Sequence, residues 1–156
     1  MKNIDKKYKQ KVLIVDDEPN NLKLLGQILQ NEYELSFAIN GPKALEAALK
    51  LIPDIILLDI MMPGMDGYEI CKQLKTNPKT LKIPVIFVSA MGEVEDEHQG
   101  FNVGGVDYIA KPVSAPIVLA RVRTHLAMYD QNRLLEETVR QRTEQLRLAV
   151  QKRELY

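Results

Sequence analysis

The sequence predicts an α/β fold, a doubly wound five-stranded parallel sheet followed by a long C-terminal helical extension. Short apolar runs with strand character alternate with stretches of helical periodicity, the pattern of a parallel sheet wrapped in helices. Two of the runs, Ile55–Leu58 and Val85–Val88, are apolar at every position, as strands covered on both faces must be. Polar residues that could do chemistry fall at the ends of several runs, where ligands of such sheets bind.

In chain order, the strand-like runs are Val12–Val15, Glu34–Ala38, Ile55–Leu58, Val85–Val88 and Val106–Ile109. Between them lie helix-like stretches over 20–30, 42–50, 68–76 and 93–103. Leu22, Leu25, Ile28 and Leu29 recur at helical spacing and cover one face of the first helix. Pro42 suits a first helical turn, where its missing N–H costs nothing. The Gly104–Gly105 pair breaks the chain after the fourth helix. From Ile117 to the end there is neither Gly nor Pro, and a single helix there would reach about 60 Å. Val118, Val122, Leu126 and Tyr129 form an apolar stripe on its first part. Further on, Leu135, Val139, Leu146 and Ala149 fit a coiled-coil seam that Arg142 interrupts, so a parallel coiled coil and a solvated linker helix both fit. The expected organisation is a basic tail over 1–10, a domain over 11–128, and a helical linker or coiled coil over 129–156.

Composition narrows the function classes. At 156 residues the chain fits one domain with an appendage, large enough to bury a core without staples. The single cysteine, Cys71, rules out an intrachain disulfide and suits a reducing compartment. No apolar run reaches a membrane span and the lysine-rich start lacks an apolar h-region, so the expectation is a soluble, cytoplasmic protein. Net charge is zero but uneven: +4 over 1–11, −7 over 12–112 and +3 over 113–156. The acidic middle argues against direct nucleic-acid binding.

Asp16 and Asp17 close the first strand, Asp59 the third, Ser89 follows the fourth and Lys111 follows the fifth. Each has an ordinary explanation alone: Asp17 could cap the first helix, Asp59 could open a turn, and Lys111 could be solvated. Together they bring three carboxylates, a hydroxyl and an ammonium to one sheet edge. Crowded carboxylates raise each other's pKa unless a cation neutralises them, and an all-oxygen donor set suits Mg²⁺ or Mn²⁺. Zinc is not indicated, because His98 and His125 lack cysteine partners; His98 reads as surface and His125 as part of a helix face.

The segments "VLIVDDEPNN", "PDIILLDIMMPGMDGYEI", "IPVIFVSA" and "GGVDYIAKP" resemble, in order and spacing, the signature blocks of response regulator receiver domains of two-component signalling. The resemblance covers about residues 10–128 and implies a flavodoxin-like sheet of order 2-1-3-4-5. It implies Asp59 as phosphoacceptor, Asp16, Asp17, Asp59 and the Met61 backbone carbonyl as Mg²⁺ ligands, and Lys111 and Ser89 as partners of the phosphoryl oxygens. Tyr108 would be the aromatic switch that follows Ser89, and Lys111–Pro112 the family's cis peptide. The implied partner is a histidine kinase or phosphotransfer protein, with no enzymatic activity beyond self-catalysed phosphotransfer and slow autodephosphorylation.

Small departures stand out: Ser89 where threonine is frequent, Val113 where an aromatic is frequent, and an apolar Met61 two residues after the acceptor. Charge-assisted hydrogen bonds contribute about 1.5–3 kcal/mol each, so Ser89 and Lys111 together could supply roughly 3–6 kcal/mol. A two-state switch needs about 5.5 kcal/mol to move from 1:99 to 99:1, so two such contacts suffice in principle.

The segment "RVRTHLAMYDQNRLLEETVRQRTEQL" is similar to signalling helices that join receivers to cyclic-di-nucleotide enzymes or histidine kinases. The expectation is therefore the N-terminal part of a larger regulator that signals through its last helix as a homodimer. Helix four, strand five and helix five form the implied dimer face, where Asp107, Arg121 and Arg123 could make salt bridges. Two rivals are a phosphorylation-independent dimerising scaffold and a Mg²⁺-dependent phosphatase with an aspartate nucleophile. The intact acidic set disfavours the scaffold, and adjacent acids rather than D-x-D disfavour the phosphatase. An FMN-binding protein is disfavoured by the acidic first loop.

Overall fold

The computed structural model describes residues 8–90 and 94–154, with the side chains of 94–97 left aside. The basic tail expected over 1–10 therefore lies mostly outside the described residues. Five strands, β1 (Lys11–Val15), β2 (Glu34–Ala38), β3 (Ile55–Asp59), β4 (Val85–Ser89) and β5 (Asp107–Ala110), alternate with α1 (Pro19–Leu29), α2 (Gly41–Leu51), α3 (Gly67–Thr76), α4 (Val94–Asn102) and α5 (Ala115–Glu154). All pairings are parallel and the strand order is β2-β1-β3-β4-β5, as expected.

Strand alternation divides the core into two layers. Leu13, Val15, Ile56, Leu58, Val85 and Phe87 face α2 and α3. Val12, Ile14, Ile55, Leu57, Ile86 and Val88 face α1 and α5. Every residue of β3 and β4 is buried, which accounts for their unbroken apolar sequence. The edge strand β2 is buried only at Ala38 and carries the polar residues Glu34 and Ser36.

The boundaries differ from the sequence reading in instructive places. Helix α1 starts at Pro19, with Glu18 as its N-cap and no side-chain cap. Asp17 is thus not the cap; the Glu18 amide is satisfied by Asp16 Oδ1 at 2.9 Å instead. Strand β5 is shifted by one residue, because exposed Val106 only donates its N–H to Val85 before the ladder begins at Asp107. Gly104 has φ +102°, so the break after α4 uses a conformation that glycine adopts without strain.

Helix α5 runs without interruption through the expected boundary at 128/129. Val118, Val122 and Leu126 are its buried residues, Tyr129 is half-buried, and Leu135, Val139 and Leu146 are exposed. Past the core, Gln10 donates to Asp130 at 2.9 Å and Lys82 pairs with Glu136. Gln10 precedes β1 and Lys82 precedes β4, so α5 leaves the domain at the N-terminal edge of the sheet. No described helix is long and apolar enough to cross a membrane.

Candidate functional site

The opposite, C-terminal edge of the sheet collects the polar strand ends. Because β1 and β3 are neighbours in register, with Val15 beside Leu58, their following carboxylates emerge side by side. One oxygen from each of Asp16, Asp17 and Asp59 lies within 4.8 Å of the others. Asp16 and Asp59 are 1% and 4% exposed, while Asp17 is half-buried, so the cluster opens to solvent on one side.

Lys111, after β5, reaches across the sheet edge into this cluster. Its Nζ lies 2.9 Å from Asp16 Oδ2 and 3.4 Å from Asp59 Oδ1. The cis Lys111–Pro112 peptide expected from the sequence is present, and the Lys111 N–H donates to the Ser89 carbonyl at 2.8 Å. Ser89 is buried at the end of β4, opposite Ala110 of β5. The Met61 amide points at Asp59 Oδ1 at 3.4 Å, while its side chain is exposed.

Electrostatics follow from this crowding. Burial, then the negative charge of Asp16, pushes the Asp59 carboxyl above the ordinary aspartate range against the opposing pull of Lys111. Burial alone would lower the Lys111 ammonium, but hydrogen bonding to Asp16 and the charge of Asp59 reverse this and raise it. One ammonium faces three carboxylates, and the donor set is entirely oxygen. The residues therefore fit a hard divalent cation such as Mg²⁺.

A cleft runs from this cluster between β3, α3 and α4, lined in part by Asp17, Met61, Asp66, Tyr68, Ser89 and Gln99. Tyr108 of β5 lies on the same sheet face as Phe87 and Ser89. Its hydroxyl is 2.9 Å from that of Tyr68, a residue of α3 that the sequence reading did not single out. An aromatic right after a helix-opening glycine was legible as core, but its hydroxyl partner was not.

His125 was also underestimated. Its Nε2 sits 2.8 Å from Asp107 Oδ2, and Arg121 binds both oxygens of the same carboxylate at 2.9 and 3.1 Å. Arg123, expected on this face, instead pairs with Glu32 after α1, because it sits on the other side of α5. His98 is exposed, as expected.

The sequence model of the response regulator receiver domain matches residues 12–123. A Vibrio cholerae protein named as a cyclic di-GMP phosphodiesterase is 44% identical over 142 residues, covering 86% of this chain and 32% of that protein. The response regulator PleD of Caulobacter vibrioides is 45% identical over 115 residues, covering 73% of this chain and 25% of PleD. The chain thus spans a third or less of the length of these two curated relatives. Among solved structures, a response regulator from Chloroflexus aurantiacus superposes with a TM-score of 0.74 at 34% identity, covering 77% of this chain and 99% of that one.

Proposed function

This chain belongs to the response regulator receiver domain family of two-component signalling, and on that premise we propose that Asp59 accepts a phosphoryl group from a histidine kinase or phosphotransfer protein. The observation that carries this reading is Lys111 Nζ, set 2.9 Å from Asp16 and 3.4 Å from Asp59 beside a third carboxylate. Asp16, Asp17, Asp59 and the Met61 carbonyl would hold Mg²⁺. When bound, the ion neutralises the carboxylates and the oxygens of the incoming phosphoryl group.

The chain's own residues do the rest. An Asp59 oxygen attacks phosphorus as the donor's P–N bond breaks, and the bonding pair leaves with the donor imidazole. Lys111 offsets the negative charge that gathers on the transferring oxygens, so catalysis is positioning plus electrostatics. The product is an acyl phosphate carrying about two negative charges. Lys111 and Ser89 then bind its oxygens, and the movement of Ser89 is passed to Tyr108 on the same sheet face.

Signal transmission is proposed through α4, β5 and α5, with residues 11–128 as the receiver and 129–156 as a helical linker toward an output domain. The V. cholerae relative's name supports a cyclic-di-nucleotide enzyme as that output. A homodimer in the cytoplasm completes the reading; the exposed Leu135, Val139 and Leu146 support pairing of the linker helices.

Incubation with acetyl phosphate and Mg²⁺, followed by intact mass measurement, tests the assignment. One phosphoryl group should be added to the wild type and none to Asp59→Ala. Equal labelling of the variant would remove Asp59 as the acceptor.

A further inference from the structure

The aromatic residues beside the acidic cleft form a built seat rather than a generic core. Phe87 of β4 lies between two tyrosines, with ring centroids 5.3 Å from Tyr68 and 5.3 Å from Tyr108. The two tyrosine hydroxyls meet at 2.9 Å. Above them, α4 presents Gly100, where an added Cβ would lie 2.3 Å from the Tyr108 hydroxyl oxygen and 2.7 Å from its ring. Phe101, the next residue of α4, closes the side with an edge contact to Tyr108 at 6.0 Å. Three elements thus converge on one hydroxyl: α3 through Tyr68, α4 through Gly100, and β5 through Tyr108 itself.

Tyr68 also lines the cleft that holds Ser89 and Asp17. The hydroxyl pair therefore ties the Tyr108 ring to α3 beside the cleft that holds Ser89, and the missing side chain of Gly100 leaves room for it. We propose that Tyr68 is a positioning residue of the switch, whose hydroxyl holds Tyr108 in its inward seat beneath Gly100 and so favours the phosphoryl-bound state. The proposal rests on the reading of Asp59 as acceptor and Tyr108 as switch, and adds the partner that defines one of the switch's two positions. A ligand shifts such an equilibrium only by its differential affinity for the two states. Loss of the hydroxyl pair should therefore appear as weaker binding of a phosphoryl mimic.

The test is calorimetric titration of beryllofluoride in Mg²⁺ with the wild type, Tyr68→Phe, Tyr108→Phe and the double variant, each first shown to melt cooperatively. Phenylalanine keeps the ring against Phe87 and removes only the hydroxyl. Each single variant should bind about threefold to tenfold more weakly, the range expected for one net hydrogen bond. The double variant should lose less than the product of the two single losses, since the two hydroxyls share one contact. Mg²⁺ affinity measured alone should not move, which separates positioning from damage to the acidic cluster. Gly100→Ala, which crowds the seat from the opposite side, should weaken beryllofluoride binding in the same way. Unchanged affinity in Tyr68→Phe, or losses that multiply in the double variant, would overturn the proposal. Absence of beryllofluoride binding by the wild type would instead overturn the Asp59 reading, and this inference with it.

Discussion

Lys111 and Asp16 meet at 2.9 Å although 95 residues separate them in the chain, one following β5 and the other β1. The contact crosses the sheet edge above β3 and puts the ammonium within reach of Asp59 as well. It holds one positive charge where three carboxylates gather, which is the electrostatic core of the proposed phosphoacceptor site.

Replacing Lys111 with Met keeps much of the stem and removes the charge. The chain should remain folded and bind Mg²⁺, because the carboxylates are intact. Acetyl phosphate labelling should fall by about tenfold to a hundredfold, the equivalent of one charge-assisted hydrogen bond of roughly 1.5–3 kcal/mol. Labelling rates from intact mass against time check this. Wild-type rates would show that Lys111 has no part in the transfer.

Asp59→Asn should have opposite effects with and without metal. Burial and the charge of Asp16 disfavour the ionised Asp59 in the folded protein, so in EDTA the neutral variant should melt above the wild type. The sign follows from linkage: a carboxyl raised above its unfolded value costs stability once pH exceeds that value. In saturating Mg²⁺ the order should reverse, since a ligand at about 100 times its Kd stabilises by roughly 2.7 kcal/mol. Thermal melts under both conditions give the answer.

Burial pushes the Asp107 carboxyl up, but His125, the Tyr108 amide and Arg121 together outweigh it and hold the group low, so it should contribute to stability at neutral pH. A depressed carboxylate loses that contribution as pH falls from its unfolded value, about 3.9, through its lower folded one. The site is partly exposed, so the contribution should be about 1 kcal/mol or less. The gap in Tm between wild type and Asp107→Asn should narrow below about pH 4, and a gap that persists unchanged would rule out the ion pairs as its source.

Cys71 of α3 is fully buried in the layer between the sheet and helices α2 and α3, and burial pushes its thiol up to about 11. Ellman's reagent at pH 8 should therefore react at the rate of global opening and reach completion only in denaturant. Stability should also drop between about pH 9 and pH 11, as the unfolded thiol ionises first and the folded one later. Rapid labelling of the native protein would contradict this.

Two leucines on α5 separate domain from extension. Leu126 is 2% exposed and Leu146 is 68% exposed. Leu126→Ala should cost about 2–5 kcal/mol in urea unfolding. Leu146→Ala should change receiver stability by less than about 0.5 kcal/mol. If the linker helices pair, Leu146→Ala should shift the dimer–monomer balance in sedimentation without affecting the urea midpoint of the receiver.

The strands and the acidic edge were legible because they rest on local pattern. Ile55–Leu58 and Val85–Val88 read as strands covered on both faces, and parallel strands place their following residues on one edge, so Asp16, Asp59, Ser89 and Lys111 were expected to converge. What the sequence hid were choices made by tertiary packing. The sequence allowed Asp17 a cap role beside its metal-binding one, but Pro19 opens α1 and Asp16 takes the Glu18 amide. Arg121 and Arg123 looked equivalent, yet two residues on a helix differ by about 200°, which sends one to Asp107 and the other to Glu32. His125 and Tyr68 gained polar partners from distant elements that no spacing rule could supply.

The most direct measurement is borohydride reduction of the acetyl phosphate–treated protein, followed by peptide mapping. An acyl phosphate is reduced to the alcohol, so the modified aspartate is recovered as homoserine. The account predicts homoserine at Asp59 alone, dependent on Mg²⁺ and absent when EDTA is present during labelling. Homoserine at Asp16, Asp17 or Asp66, or none under any condition, would contradict it.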